Sequence, residues 1–133
     1  MADVATGSFE VSIKPLVFEG AADQAKTGRM SIDKTISGDL TATTQGQMLT
    51  AMTETPGSAG YVAIEHVTGT LAGHDGSFTL QHSATMNRGV PSMSISVVPD
   101  SGTGALKGLT GDFKINIVDG KHLYAFNYRL GDN

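Results

Sequence analysis

Hydrophobic and polar positions alternate along most of the chain. In "SFEVSIK", Phe9, Val11 and Ile13 fall on one side and Glu10, Ser12 and Lys14 on the other, which is the period-two signature of a half-buried strand. "RMSIDKTISG" continues the pattern with Met30, Ile32 and Ile36, and "GDLTATTQ" and "QMLTAMTE" follow, set apart by Gly38 and Gly46. "GYVAIEHVTGTL", "GSFTLQHSATM", "SMSISVVP", "GDFKINIVDG" and "HLYAFNYRL" complete the series, each bounded by Gly, Pro, Asp or Asn, the residues that form turns. The pattern predicts about eight or nine strands. The competing element is a helix in "AADQAKTGRM", which Gly28 limits to one turn.

One motif occurs twice. "GTLAGHDGSF", Gly69 to Phe78, and "GALKGLTGDF", Gly104 to Phe113, share the pattern G-x-L-x-G-x-x-G-x-F. A glycine-rich phosphate loop needs a helix after its last glycine. Here "DFKINIV" follows and alternates as a strand, so each copy is expected to be a hairpin corner with Leu and Phe on one face. Many sequential strands with short connections must protect their edges by stacking two sheets or by closing into a barrel. The pattern alone slightly favours the barrel.

Composition sharpens this picture. With 133 residues the chain is the size of one domain, read as residues 1–133. Seventeen glycines against four prolines suit tight turns between strands. The absence of cysteine removes disulfides, thiolate nucleophiles and thiolate metal centres. The net charge is -4 and the nine lysines and arginines are scattered, which argues against nucleic acid as a partner. No stretch approaches the roughly 20 apolar residues of a membrane helix, and the N-terminus lacks the basic-then-apolar order of a leader. A cytoplasmic location without membrane contact is expected.

The stretches "SGDLTATTQGQMLTAMTETPGSAGYVAIEHVTGTLAGHDGSFTLQHSATM" and "SISVVPDSGTGALKGLTGDFKI" resemble the bacterial family called domain of unknown function 3224. The likeness runs from about Thr6 to Leu130, and "GSAGYVAIE", "GSFTLQH" and "VVPDSGTGALKGLTG" are its specific parts. It implies an all-β fold, a closed antiparallel eight-stranded meander barrel of the allene oxide cyclase type. The G-T-G-x-(L/F)-x-G-x-x-G element is similar to one in allene oxide cyclases and dirigent proteins, which hold apolar substrates in the barrel and steer ring closure or coupling. The family has no assigned activity, so the resemblance implies fold rather than chemistry.

Candidate chemistry follows from parity. With a two-residue turn at His74-Asp75 or Asp75-Gly76, Tyr61, Ala63, Glu65, Val67 and Leu71 share a face with Phe78, Leu80, His82 and Ala84. That face is mostly apolar, and Glu65 and His82 are its ionisable members. A carboxylate and an imidazole meeting inside an apolar barrel make a candidate acid–base pair, or a self-satisfied polar pair that fixes strand register. Met48, Met52 and Met93, with Tyr61 and Tyr124, are the candidate ligand-lining residues. His66, His74 and His122 lack metal-ligand spacing, and Ser92, Ser94 and Ser96 read as a solvated strand face. No metal and no cofactor is expected.

Two functions are therefore carried forward. The first is a barrel binding a small apolar ligand in its lumen, as an isomerase or cyclase in one version, with Glu65 and His82 orienting or protonating the ligand. The second is a non-enzymatic barrel acting through self-association or a protein contact. Tyr124, Phe126 and Tyr128 alternate on the last strand, more aromatic surface than one barrel face readily hides, and this predicts a homo-oligomer, with a twofold dimer the commonest form.

Overall fold

The structure, a computed structural model, describes residues 3–17 and 26–131. Eight strands follow one another: β1 (Asp3–Leu16), β2 (Thr27–Gly38), β3 (Leu40–Met52), β4 (Ala59–Leu71), β5 (His74–Asn87), β6 (Val90–Val97), β7 (Thr110–Val118) and β8 (Lys121–Arg129). They form a closed barrel in chain order, with β8 returning to pair antiparallel with β1. The chain therefore meanders around the wall, and no helix among the described residues is long and apolar enough to cross a membrane. The expected helical turn lies partly outside the described residues, and its latter part, Thr27–Met30, is β2.

The strand count settles at eight because Gly46 does not end a strand. "GDLTATTQ" and "QMLTAMTE" are one element, β3, running through Gly46 without a break. Gly38 does mark a corner, with φ +114, a conformation few side chains tolerate.

The β4–β5 hairpin turns at Ala72-Gly73, because Leu71 pairs with His74. Both turn residues have positive φ, +48 and +86, as the two-residue turn that matches strand twist demands. The turn thus lies two residues or more before the expected His74-Asp75 or Asp75-Gly76. Each of these placements shifts the pairing by an even number, so the inward and outward faces are unchanged.

The second copy of the repeated motif is not a hairpin. After β6 the chain crosses one end of the barrel through residues 98–109, which include a single 3-10 turn at Gly104–Leu106. Leu106 and Leu109 point into the barrel from this segment and close that end. The two copies nonetheless use their matching residues alike. Leu71, Phe78, Leu106 and Phe113 are all buried, and Gly73 and Gly108 both have positive φ, +86 and +84. The residue just before the second copy is bonded to the first: the Thr103 N–H donates to the Ser77 carbonyl at 2.8 Å and the Ser77 N–H donates to the Thr103 hydroxyl at 3.1 Å.

One half of the lumen is packed and the other is open. In the packed half, Leu40, Leu71, Phe78, Leu80, Leu106 and Phe126 are fully buried, with Phe78 stacked on Phe126 at 5.7 Å and Phe113 on Tyr124 at 5.2 Å. Tyr124, Phe126 and Tyr128 all lie in this core. The aromatic surface expected to drive pairing of two copies is therefore interior: β8 is buried on one face along its length, and partner rings from β5 and β7 complete the cluster. At the opposite end, residues with inward parity remain exposed, among them Ile13, Met52, Met86, Met93 and Ile117.

The wall is uneven. Most neighbouring strands pair over seven or more residues, whereas β6 and β7 share one pair, Ser96 with Asp112. From there toward the open end, the two strands run side by side without a ladder.

Gly111 tests the packing argument. A Cβ added there would collide with the Asn127 carbonyl oxygen and stand 2.9 Å from the Phe126 ring. Gly111→Ala is expected to destabilise the protein by about 2 kcal/mol or more, through overpacking against backbone. Gly73→Ala, where nothing lies within 4 Å, should lose only about 1 kcal/mol from its positive φ. Urea unfolding of the two variants checks the order.

Candidate functional site: a buried polar cluster beneath an apolar mouth

Glu65 faces inward from β4 and His82 from β5, both essentially inaccessible to solvent. His82 sits opposite Ala63 and Glu65 opposite Leu80, so the two are diagonal neighbours on one face. The His82 Nε2 lies 2.8 Å from the Glu65 Oε1. The two residues that parity placed on one face thus meet in the lumen.

Parity missed two further members. Lys34 on β2 extends its ammonium to 3.1 Å from the same Oε1, and the Thr44 hydroxyl on β3 donates to the Glu65 Oε2 at 2.6 Å. Thr44 in turn accepts the Lys34 backbone N–H at 3.0 Å. The Lys34 ammonium also lies 4.7 Å from the centre of the Phe9 ring, within range of a cation–π attraction. The signal for Lys34 was present: it occupies the inward position between Ile32 and Ile36, where an unpaired lysine would be severely desolvated. Thr44 likewise continues the inward series Leu40, Ala42.

Gly46 lets the cluster assemble. It lies opposite Glu65 on β3, and a Cβ there would press on the Glu65 Cα at 2.8 Å and Cβ at 3.2 Å. Without one, the Glu65 side chain has room beside β3 to meet groups from β2, β3 and β5.

Burial alone would push the Glu65 carboxyl upward. The hydrogen bond with His82, the Lys34 charge and the Thr44 hydroxyl outweigh it and hold the carboxyl below its ordinary value. A carboxylate only accepts hydrogen bonds, so His82 Nε2 carries a proton directed at Glu65. Glu65 therefore orients the ring, and the acid–base capacity of the pair rests with His82. The other ring nitrogen, Nδ1, is buried and has no hydrogen-bond partner among the described residues.

Toward the open end, a cavity of about 270 Å³ is lined by Met52, Ala59, Tyr61, Ala84, Met86 and Met93, among others. Tyr61 and Ala84 form its floor, and the Tyr61 ring lies 6.3 Å from the His82 ring, centre to centre. Burial, and then the Glu65 charge, push the Tyr61 hydroxyl upward from its ordinary value, so it stays protonated at neutral pH. Of the expected lining residues, Tyr61, Met52 and Met93 meet at this cavity, and Met86 joins them. Met48 is core, packed with Ile32 and Ala63. Tyr124 is remote: its hydroxyl accepts the Leu40 N–H at 3.0 Å and lies 3.0 Å from the Ser37 carbonyl, tying down the β2–β3 corner. His122 is half-buried on the inner wall, 5.1 Å from the Phe9 ring.

Comparison with known proteins places the chain in a family. The family model described as "Protein of unknown function (DUF3224)" matches residues 5–128. The chain belongs to that family. A crystal structure of a DUF3224 family protein of unknown function from Shewanella oneidensis MR-1 is 43% identical, with a TM-score of 0.95 over 100% of both chains. No match was found among curated proteins.

Glu65→Gln leaves the Lys34 ammonium buried beside a neutral amide, and is expected to lower stability by about 3–5 kcal/mol. Adding Lys34→Met should recover most of that loss in urea unfolding. Because the folded Glu65 carboxyl lies low, its contribution is complete above the unfolded-state value of about 4.3 and is lost as pH falls through the folded value. Acid should therefore weaken the wild type more steeply than the Glu65→Gln, Lys34→Met pair.

Proposed function

We propose that this DUF3224 protein is a small-molecule binding barrel that holds an apolar ligand in the open half of its lumen. The supporting observation is the cavity of about 270 Å³ at that end, lined by inward-facing methionines and floored by Tyr61. Its volume is near the lower limit of ordinary ligand pockets, roughly 300 Å³, which suits a compact molecule. Methionine side chains adapt to irregular apolar shapes, and Met52, Met86 and Met93 are 60%, 41% and 50% exposed, a cost in water that an apolar occupant removes. Any isomerase or cyclase step at this site belongs to His82 as proton donor or acceptor, with Glu65 holding the ring and Lys34 and Thr44 holding Glu65. We place the protein in the bacterial cytoplasm.

A second reading draws on the outer wall. Leu49, Val62 and Ile64 face outward from β3 and β4 and are about half exposed, with Leu49 directly opposite Val62. This apolar strip, rather than the β8 aromatics, is the surface on which a homodimer would form. Sedimentation at the dimer mass in the micromolar range, reduced to the monomer mass by Val62→Lys, is the expected result for that reading.

The pocket reading is tested with 1-methylnaphthalene, a neutral apolar probe. It should shift the methyl resonances of Met52, Met86 and Met93 and bind at least tenfold more weakly to Met93→Arg, whose charge enters the cavity. Unmoved methionine resonances in the wild type would sink the reading.

A further inference from the structure

The cavity is apolar, but what lies just behind its floor is not. Tyr61, Ala84 and Met93 occupy the rung of the barrel next to the mouth, and His82 lies one rung deeper, with Ala63 and Ile95 as its cross-strand partners. Nε2 of His82 is committed to Glu65 at 2.8 Å. Glu65 is in turn saturated by Lys34 and Thr44, so the cluster fixes one tautomer, with the proton on Nε2. In the neutral ring Nδ1 is then an acceptor. It is buried on a side chain only 1% exposed, and no group among the described residues donates to it.

We infer that the ligand of this pocket is an uncharged apolar molecule bearing one hydrogen-bond donor, a hydroxyl or N–H, and that His82 Nδ1 is the acceptor that recognises it. The inference rests on the pocket reading above and adds its specificity. Anionic ligands do not fit, because a carboxylate has no proton to offer an acceptor and any anion would lose its hydration among methionines. Cationic ligands would lose their hydration among methionines. A neutral donor meets neither objection and pairs a buried acceptor, so a site of this kind should reject the analogue that lacks the donor. Tyr61 stands in the way, and among the described residues no hydrogen bond holds its hydroxyl. The inference requires a turn of its ring to join the cavity to His82.

The test compares 1-naphthol with 1-methylnaphthalene, which replaces the hydroxyl by a methyl group of similar size. The wild type should bind 1-naphthol about tenfold more tightly, what one neutral hydrogen bond supplies. His82→Leu removes Nδ1 and puts no other acceptor in its place, while Glu65 keeps Lys34 and Thr44, and there the two probes should bind alike. Tyr61→Phe, which removes the other polar group of the floor, should keep the preference. In the unsubstituted protein, the Nδ1 nitrogen resonance of His82 should move on adding 1-naphthol and not on adding 1-methylnaphthalene, a readout that does not depend on any variant folding. Equal affinities in the wild type, a preference that survives His82→Leu, or an unmoved Nδ1 resonance would each overturn the inference while the pocket stands. If neither probe binds, the pocket reading fails and takes this inference with it.

Discussion

A carboxylate placed in the middle of an apolar barrel has to be matched donor by donor, and the organisation of the lumen follows from how Glu65 is matched. Its partners come from β2, β3 and β5, so four consecutive strands hold their relative register for all three bonds to form. A slip of one residue in any of them would turn its partner out to solvent and leave a charge buried behind it. Apolar side chains specify that a face is inward; the cluster specifies which rung meets which. Above it the barrel is packed solid by Leu40, Leu71, Phe78, Leu106 and Phe126, and below it the lumen opens among methionines.

Much of this was legible in alternation. The facing of Glu65 and His82 came from counting by twos, and survived a misplaced turn because every two-residue turn considered preserved parity. Lys34 escaped because alternation tells which way a side chain points and nothing about its height along the barrel axis. Only the pairing of β2 with β3 and of β3 with β4 sets Lys34 beside Glu65. Gly46 was misread as punctuation for a related reason. Its missing side chain is required by Glu65 on the neighbouring strand, a demand that no local pattern displays.

The repeated motif shows how far sequence likeness carries. Both copies bury a leucine and a phenylalanine and place a glycine at positive φ, because both must turn the chain sharply over the same core. One copy lies between adjacent paired strands and becomes a hairpin. The other follows β6, whose onward path runs along β5 before reaching β7, and becomes a 3-10 turn that closes the barrel end. Packing demands, more than backbone shape, are what the repeat encodes. The aromatic series on β8 carried a similar ambiguity: three rings in alternation suit an interface or a core, and the partner rings Phe78 and Phe113 decide for the core.

The single residue pair joining β6 to β7 gives the lumen a property that a fully laddered barrel lacks. Each hydrogen-bonded strand adds a fixed width of about 4.8 Å to the circumference, so an unbroken ring of ladders sets the girth of its interior as rigidly as hoops set a cask. Here one stave is fastened to the next at Ser96 and Asp112 and runs free toward the mouth. Met93 lies on that free stretch and lines the cavity. The ladders therefore fix the girth of the packed end, whereas at the open end the ring of ladders is interrupted between β6 and β7.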